Sequence, residues 1–279
     1  MDPAPQDWAN VELPGSWVDD LNLRRPSDLW RFLRPVRGTV RPVVLPPELP
    51  GRSMLPAYLL QEFHRMPNGS YSKDVADGYQ RWFDVTMLGE VAKARRRIVA
   101  QLAGAKAALD LGCGAGQLAG ALRASGIPDV WALDPCPYLL KEGARRFPGV
   151  RFIQGIAERS PFPDGRFDAV GVCFLFHELP GAIADRALAE LHRVMAPGAR
   201  LIIVEPSPVQ MQEKSLLRLL RVGGPRALYF KLLAKFAFEP YVRVWHRKDP
   251  GPWLARHGFR LLKDEIGVPM RFISAQKDA

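Results

Sequence analysis

The chain has 279 residues, of which 47% are hydrophobic and 24% charged, a composition typical of a globular protein with one large domain or a core domain with appendages. No apolar run approaches the ~18 residues of a membrane-spanning helix, and the three cysteines lack metal-ligand spacing, which argues against an integral membrane protein and a metal site. The first residues are acidic and proline-rich and lack the pattern of a secretory signal, so we expect a cytoplasmic protein with reduced thiols.

The N-terminal part of the chain is rich in proline. Ten prolines fall within residues 1–56, a density incompatible with long helices and central strands. Several tryptophans in the same stretch argue against free disorder. We therefore predict an ordered extension over residues 1–70 that wraps on a domain formed by residues 71–279.

Two stretches that precede the first strand have helical patterns. Residues 57–66 predict a short helix. Residues 74–102 predict one long helix, or two helices with a break near Gly89.

A glycine-rich turn follows the first predicted strand. The run 109–116, LDLGCGAG, is typical of a short apolar strand that ends in glycines, and the stretch 117–124 then favours a helix. Glycine can adopt positive φ and let the backbone approach a ligand closely, and the first amides of the helix face that ligand. Such turns also bind NAD or FAD, or serve as plain tight connections.

Two acids favour a different ligand from a dinucleotide. Asp110 lies two residues before Gly112, where a carboxylate repels a pyrophosphate but suits an ammonium or a hydroxyl group. Asp134 ends the second apolar run, 24 residues after Asp110, where it can accept hydrogen bonds from ribose hydroxyls. S-adenosylmethionine carries an amino acid group, a sulfonium and a ribose.

Further strands alternate with helical segments along the rest of the chain. We predict them at residues 150–154, 170–176, 201–205, 260–264 and 270–275. This alternation predicts an α/β fold, a Rossmann-like doubly wound sheet of seven strands whose last two strands form an antiparallel hairpin.

The motifs resemble those of a known enzyme family. They are LDLGCGAG at 109–116, ALD at 132–134, PFPDGRFDAV at 161–170 and RVMAPGARLIIVE at 193–205. In this order they resemble class I S-adenosylmethionine-dependent methyltransferases, and are closest to the branch with the ubiquinone and menaquinone C-methyltransferases. The segment VADGY at 75–79 extends the resemblance upstream. The resemblance implies methyl transfer with S-adenosyl-L-methionine as cofactor, but not the acceptor.

The resemblance also implies roles in cofactor binding. Asp110, Gly112 and Gly114 would line the methionine end, with Cys113 between the glycines, Asp134 would hold the ribose, and Leu133 and Pro135 would flank the adenine. Ala157 could meet the adenine through its backbone amide. Where the family often has an acid that accepts the adenine amino group, this chain has Ile156, so that contact would fall to Glu158 or to water.

Three residues are candidates for chemistry on the acceptor. His177 follows the fourth strand and could be a general base, or a histidine that only hydrogen-bonds the backbone. Glu178 could orient His177, act itself, or favour a helix N-terminus. Tyr79 could close over the cofactor carboxylate or touch the acceptor, or be a half-buried aromatic residue.

A basic insert of about 207–248 precedes the final strands. Its sequence predicts two basic amphipathic helices with a hinge at residues 223–225. We expect a cap that packs on the core and roofs the substrate site; the alternative is peripheral docking on a membrane surface. Residues 206–279 carry 14 basic and 6 acidic side chains, a net charge of +8 that suits an anionic partner or an ordinary solvated surface.

These observations predict a methyltransferase acting at carbon or oxygen of a small apolar or aromatic acceptor that is quinone-like or polyketide-like. The alternatives are an RNA or protein methyltransferase, and a non-catalytic protein that binds S-adenosylmethionine. We expect no nucleic-acid partner, because the chain lacks the Asn-Pro-Pro-Tyr motif of enzymes that methylate exocyclic base amines. The sequence leaves the oligomeric state open.

Overall fold

A single mixed sheet organises the molecule. The computed structural model describes residues 1–36, 38 and 40–278. In this part of the chain the sheet has seven strands in the order β3-β2-β1-β4-β5-β7-β6. The strands are β1 (Ala107–Leu111), β2 (Asp129–Asp134), β3 (Arg151–Gln154), β4 (Phe167–Cys173), β5 (Met195–Pro206), β6 (Phe259–Ile266) and β7 (Met270–Lys277). The predicted fold class is confirmed.

The central strands are buried on both faces. β1 pairs in parallel with β2 on one side and with β4 on the other, while β7 runs antiparallel to β5 and to β6. Helices cover both faces, which explains why the central strands are apolar runs without polar alternation. Strand order reverses at β1 and β4, so a crevice forms beyond their carboxyl ends, where open α/β sheets bind ligands.

The helices agree with most of the predicted boundaries. They are α1 (Pro26–Phe32), α2 (Lys73–Thr86), α3 (Glu90–Gln101), α4 (Gln117–Ala124), α5 (Pro137–Arg146), α6 (Gly181–Val194), α7 (Pro208–Gln212), α8 (Leu216–Gly223), α9 (Arg226–Phe236), α10 (Val242–Trp245) and α11 (Pro250–Ala255). Gly89, at φ 73°, separates α2 from α3 as predicted.

The helix predicted over residues 57–66 is wrong. The chain there forms two short 3-10 turns, Ala57–Leu59 and Phe63–Arg65. His64 and Arg65 have φ of 54° and 58°, in the left-handed region, which no right-handed helix can accommodate. The hydrophobic spacing of this stretch reflects contacts with the domain, not helical periodicity.

The proline-rich extension packs on the domain. Trp8 is buried in one core cluster, and its neighbourhood is held to α5 by hydrogen bonds from Tyr138 Oη to the Pro14 carbonyl (2.9 Å) and from Lys141 Nζ to the Val11 carbonyl (2.7 Å). A further cluster joins leucines of the extension to Tyr71 and Tyr138. These contacts bring residues 57–71 across the carboxyl edge of the sheet.

The two helices of the insert differ in their packing. α9 buries Ala227 and Phe230 against the core, as expected for a cap. α8 buries Leu219 alone and leaves Leu216 and Leu217 57% and 64% exposed. The expectation that the cap packs on the core therefore holds for α9 and is wrong for α8, because amphipathic spacing does not say what covers the apolar face. No helix in the described residues is long and apolar enough to cross a membrane.

Candidate active site

The glycine turn after β1 forms the floor of the site. The Gly112 and Cys113 amides donate to the Leu133 carbonyl at 2.9 and 3.0 Å, which fixes the turn to the end of β2. Gly112 has φ 69°, and a Cβ placed there would lie 2.9 Å from Cδ1 of Leu175. A side chain would thus be strained and would fill the space above the turn, so glycine is required here.

Asp134 lies at the carboxyl end of β2 with both oxygens engaged. Oδ2 accepts the Gly114 amide at 2.8 Å and Oδ1 accepts the Cys136 amide at 2.9 Å. A carboxylate has about four lone-pair positions, so it can also accept ribose hydroxyls. Burial raises the pKa of Asp134 to about 6, although the two amide hydrogen bonds oppose this rise.

Asp110 lies beneath the turn. Its side chain is 1% exposed, and Oδ2 accepts the Ala119 amide of α4 at 2.9 Å. Burial raises the pKa of Asp110 to about 7. Asp110 does not line the cavity above the turn. Its hydrogen bond with the Ala119 amide instead fixes α4 to β1.

A cavity of about 150 Å³ opens above the turn and Asp134. Its floor includes Gly112, Cys113 and Gly114, and its apolar walls are Pro135, Leu139, Leu175 and Leu179. Positive-φ glycines, a carboxylate and flat apolar walls suit a nucleoside with an amino acid tail. The residues present therefore fit the expected cofactor.

The roof of this cavity comes from the N-terminal side of the domain. Residues between 57 and 71 line it, among them Leu59, Phe63, His64 and Tyr71. Sequence reasoning missed this roof, because the stretch has no motif and its role depends on tertiary packing.

Ala157 and Glu158 lie away from the cavity surface. Ala157 belongs to the hydrophobic core. Both carboxylate oxygens of Glu158 lie 2.8 Å from Tyr58 Oη, which donates to this group. Their contacts with adenine stay predictions.

A larger cavity of about 590 Å³ adjoins the first. It lies between α2, α9 and the extension, and is lined largely by apolar side chains such as Val75, Phe83, Phe230 and Leu233. The two cavities share the side chains of His64, Met66, Tyr79 and Phe174. A molecule in the larger cavity would thus meet the cofactor across these four residues.

Tyr79 lines both cavities, and its roles at the cofactor or the acceptor stay predictions. Its ring stacks on Phe83 with centroids 6.0 Å apart. Burial raises the pKa of the Tyr79 phenol, which keeps the hydroxyl neutral.

His177 lies deeper than a base that touches the acceptor. It is 0% exposed, lies behind the edge of Phe174, and lines neither cavity. Its Nδ1 lies 2.6 Å from Glu205 Oε2. Burial lowers the pKa of His177, but the Glu205 carboxylate outweighs it and raises the pKa to about 9. The imidazole is thus protonated near neutral pH.

Glu178 lines the smaller cavity and holds a histidine other than its chain neighbour. Its Oε1 lies 2.7 Å from Nε2 of His64, and this contact lowers the pKa of Glu178 despite the opposing effect of burial. Sequence reasoning missed His64 and Glu205. Only Glu205, at the carboxyl end of β5, had a position that could have signalled a site.

The comparisons with known proteins agree with this geometry. A family model described as a methyltransferase domain matches residues 109–203. The demethylmenaquinone methyltransferase of Beutenbergia cavernae is 38% identical over 47% of this chain and 55% of its own length. That of Clavibacter sepedonicus is 33% identical over 60% of this chain and 70% of its own length. The chain belongs to the class I S-adenosylmethionine-dependent methyltransferases.

The cofactor of this methyltransferase is S-adenosylmethionine. The chain spans about half the length, 55%, of the Beutenbergia relative. Among solved structures, 1,6-didemethyltoxoflavin-N1-methyltransferase of Burkholderia thailandensis, with its acceptor and S-adenosylhomocysteine bound, matches 86% of this chain and 95% of its own at 19% identity, with a TM-score of 0.51. At 19% identity this likeness shows a shared fold only.

Proposed function

We propose that this methyltransferase transfers a methyl group to carbon or oxygen of an apolar, quinone-like acceptor held in the larger cavity. The proposal depends on the apolar lining of the larger cavity, which we call the acceptor cavity. It also depends on the junction of this cavity, at Tyr79 and Phe174, with the smaller cavity above the glycine turn, which we call the cofactor cavity. The names of the Beutenbergia and Clavibacter relatives support the same acceptor class.

The residues that would hold the cofactor are those of the smaller cavity. Asp134 would accept the ribose hydroxyls, Gly112 and Gly114 would let the backbone approach the amino acid tail, and Pro135 with Leu179 would flank the base. S-adenosylmethionine would supply the methyl group and leave as S-adenosylhomocysteine, and the acceptor would lose a proton.

The protein contributes orientation and exclusion of water. The apolar walls around Met66, Phe83 and Phe174 desolvate an acceptor and hold it against the cofactor cavity. This lining offers few donors and acceptors for the edge of a nucleobase, which favours a small apolar acceptor over RNA.

We also propose that α8 and α9 contact an anionic membrane surface on the cytoplasmic side. Leu216, Leu217 and Leu220 are exposed next to Arg218 and Arg221, the arrangement of an interfacial amphipathic helix. α9 carries side chains of the acceptor cavity, so such contact would bring that cavity to a lipid-soluble acceptor. Free thiols at Cys113 and Cys136 suit the reducing cytoplasm.

The test uses purified protein with methyl-labelled S-adenosylmethionine and reduced naphthoquinones and benzoquinones with isoprenoid tails of different length. We expect label in the quinol fraction, identified by mass spectrometry, and less label with Asp134→Ala at a limiting concentration of S-adenosylmethionine. Transfer to RNA or protein in place of quinols would contradict the proposal, as would cofactor binding without transfer to any acceptor.

A further inference from the structure

Three carboxylates and two imidazoles alternate in a row beside the two cavities. Glu178 Oε1 lies 2.7 Å from His64 Nε2, and His64 Nδ1 lies 3.6 Å from Glu239 Oε1. The same Glu239 oxygen lies 3.8 Å from His177 Nε2, and His177 Nδ1 lies 2.6 Å from Glu205 Oε2. We call these five residues the acid–imidazole array.

The array joins four separate parts of the chain. His64 comes from the extension, His177 and Glu178 follow β4, Glu205 lies near the end of β5, and Glu239 follows α9. Apart from His177 and Glu178, its members are distant in sequence, so their alternation arises from folding. The row consists of two contacts of hydrogen-bond length, Glu178–His64 and His177–Glu205, which Glu239 joins at 3.6 and 3.8 Å.

The backbone around the array is strained. His64 has φ 54° and Phe174, which shields His177, has φ 64°. The His64 amide donates to the Phe238 carbonyl at 3.1 Å, which fixes the extension to the segment that carries Glu239. Left-handed backbone in non-glycine residues concentrates at functional sites, because the surroundings must hold it there.

The array meets both cavities at His64. His64 and Glu178 line the cofactor cavity, and His64 and Glu239 line the acceptor cavity. At the other end, Nε2 of the fully buried His177 has no hydrogen-bond partner among the described residues and lies closest to Glu239 among the carboxylates of the array. A buried imidazole nitrogen without a partner is costly, and Glu239, at 3.8 Å, is the carboxylate placed to engage it.

We propose that His64 accepts the proton that the acceptor loses, and that Glu239 receives it from His64. This inference rests on the proposed function. Glu178 accepts a hydrogen bond from Nε2–H of His64. The lone pair of Nδ1 then points toward Glu239 and the acceptor cavity. A carboxylate orients a histidine base in this way. The proton then moves from Nδ1 to an oxygen of Glu239, which is 13% exposed and can release it to water. His177 and Glu205 position Glu239.

The charges around His64 set the direction of the pH dependence. Glu178, Glu239, His177 and Tyr79 are the titratable groups that face it. Burial lowers the pKa of His64, but the two carboxylates outweigh it and raise the pKa above its usual value. A base works only when deprotonated, so turnover should rise with pH through this raised pKa.

The first test needs no turnover. NMR titration of the histidine side chains should show His64 and His177 with raised midpoints, and Glu239→Gln should lower both because it removes a charge between them. His257→Asn, outside the array, is the matched control and should leave both midpoints unchanged. If Glu239→Gln moves neither midpoint, the array does not exist as a coupled unit and the proposal is overturned.

The second test is kinetic. His64→Asn keeps a residue that tolerates left-handed backbone. We expect kcat to fall by about 100-fold or more, the KM for S-adenosylmethionine to stay unchanged, and the rising limb of the pH profile to disappear. Glu239→Gln gives the same test without changing the strained residue, and we expect about a tenfold loss of kcat.

The outcomes separate this proposal from the proposed function. Wild-type kcat and pH profile in both variants would overturn the role of His64. If the wild type methylates no quinol, the proposed function fails, while the NMR titration still decides whether the array is coupled.

Discussion

The Gly114 amide donates to Asp134 Oδ2 at 2.8 Å across 20 residues of sequence. This bond makes the glycine turn and the Asp134 carboxylate one rigid unit. The Cys136 amide holds the other oxygen, so Asp134 is oriented before any ligand enters. Preorganisation of this kind reduces the cost of binding.

Replacing Asp134 tests this unit directly. We expect Asp134→Ala to weaken binding of S-adenosylhomocysteine by about 1–3 kcal/mol, as for a lost hydrogen bond to a charged group. Isothermal titration calorimetry measures the affinity of each variant for S-adenosylhomocysteine. The exposed Asp20→Ala is the control, and equal affinity in the two variants would remove Asp134 from the cofactor site.

Gly112→Ala should abolish cofactor binding. The substitution combines positive φ with a Cβ only 2.9 Å from Leu175, whereas Gly104, at φ 81°, has nothing within 4 Å. Gly104→Ala therefore isolates the backbone cost, about 1 kcal/mol of the free energy of unfolding. If the Gly112 and Gly104 variants bind the cofactor equally tightly, the ligand does not approach the backbone closely at Gly112.

Asp110 should make stability fall as pH rises. Its pKa is about 7 in the folded protein and near 3.8 in the unfolded chain, so between these values the folded state binds more protons. Raising the pH from 4 to 8 should then lower the free energy of unfolding by on the order of 3 kcal/mol through this residue.

Asp110→Asn keeps an oxygen for the Ala119 amide and cannot ionise, so it should reduce this pH dependence. Urea unfolding at several pH values measures the effect. Asp134, whose pKa is also raised, accounts for a remaining slope. An identical pH dependence in wild type and variant would show that Asp110 is ionised throughout.

The membrane proposal predicts a loss without a change of fold. Replacing Leu216 and Leu217 by serine should reduce cosedimentation with vesicles that contain phosphatidylserine by about tenfold, since each exposed leucine would bury apolar area in the interface. Leu262→Ser, which changes a leucine 48% exposed on β6, is the control. Equal vesicle binding by wild type and double variant would exclude α8 as the contact.

The sequence predicted what local patterns encode. Apolar runs identified the strands, and Gly112, Gly114 and Asp134, which lie within about 25 residues, line one cavity at the carboxyl edge of the sheet. The hinge between α8 and α9 was also evident from its glycines and proline.

The acid–imidazole array was beyond prediction from the sequence for physical reasons. His64 meets Glu178 across 114 residues, through a left-handed turn that no propensity indicates. His177 lies at the predicted edge of the sheet, but Phe174 packs against it. Which of these two side chains faces the cavity depends on tertiary packing, so the sequence does not reveal it.

The roof of the cofactor cavity has a consequence for engineering. The segment that matches the methyltransferase family, residues 109–203, supplies the floor, whereas Leu59, Phe63 and His64 belong to a region outside it. A chimera that receives the matched segment alone would lack the side chains that roof this cavity. Anyone who recombines such enzymes must transfer both pieces together.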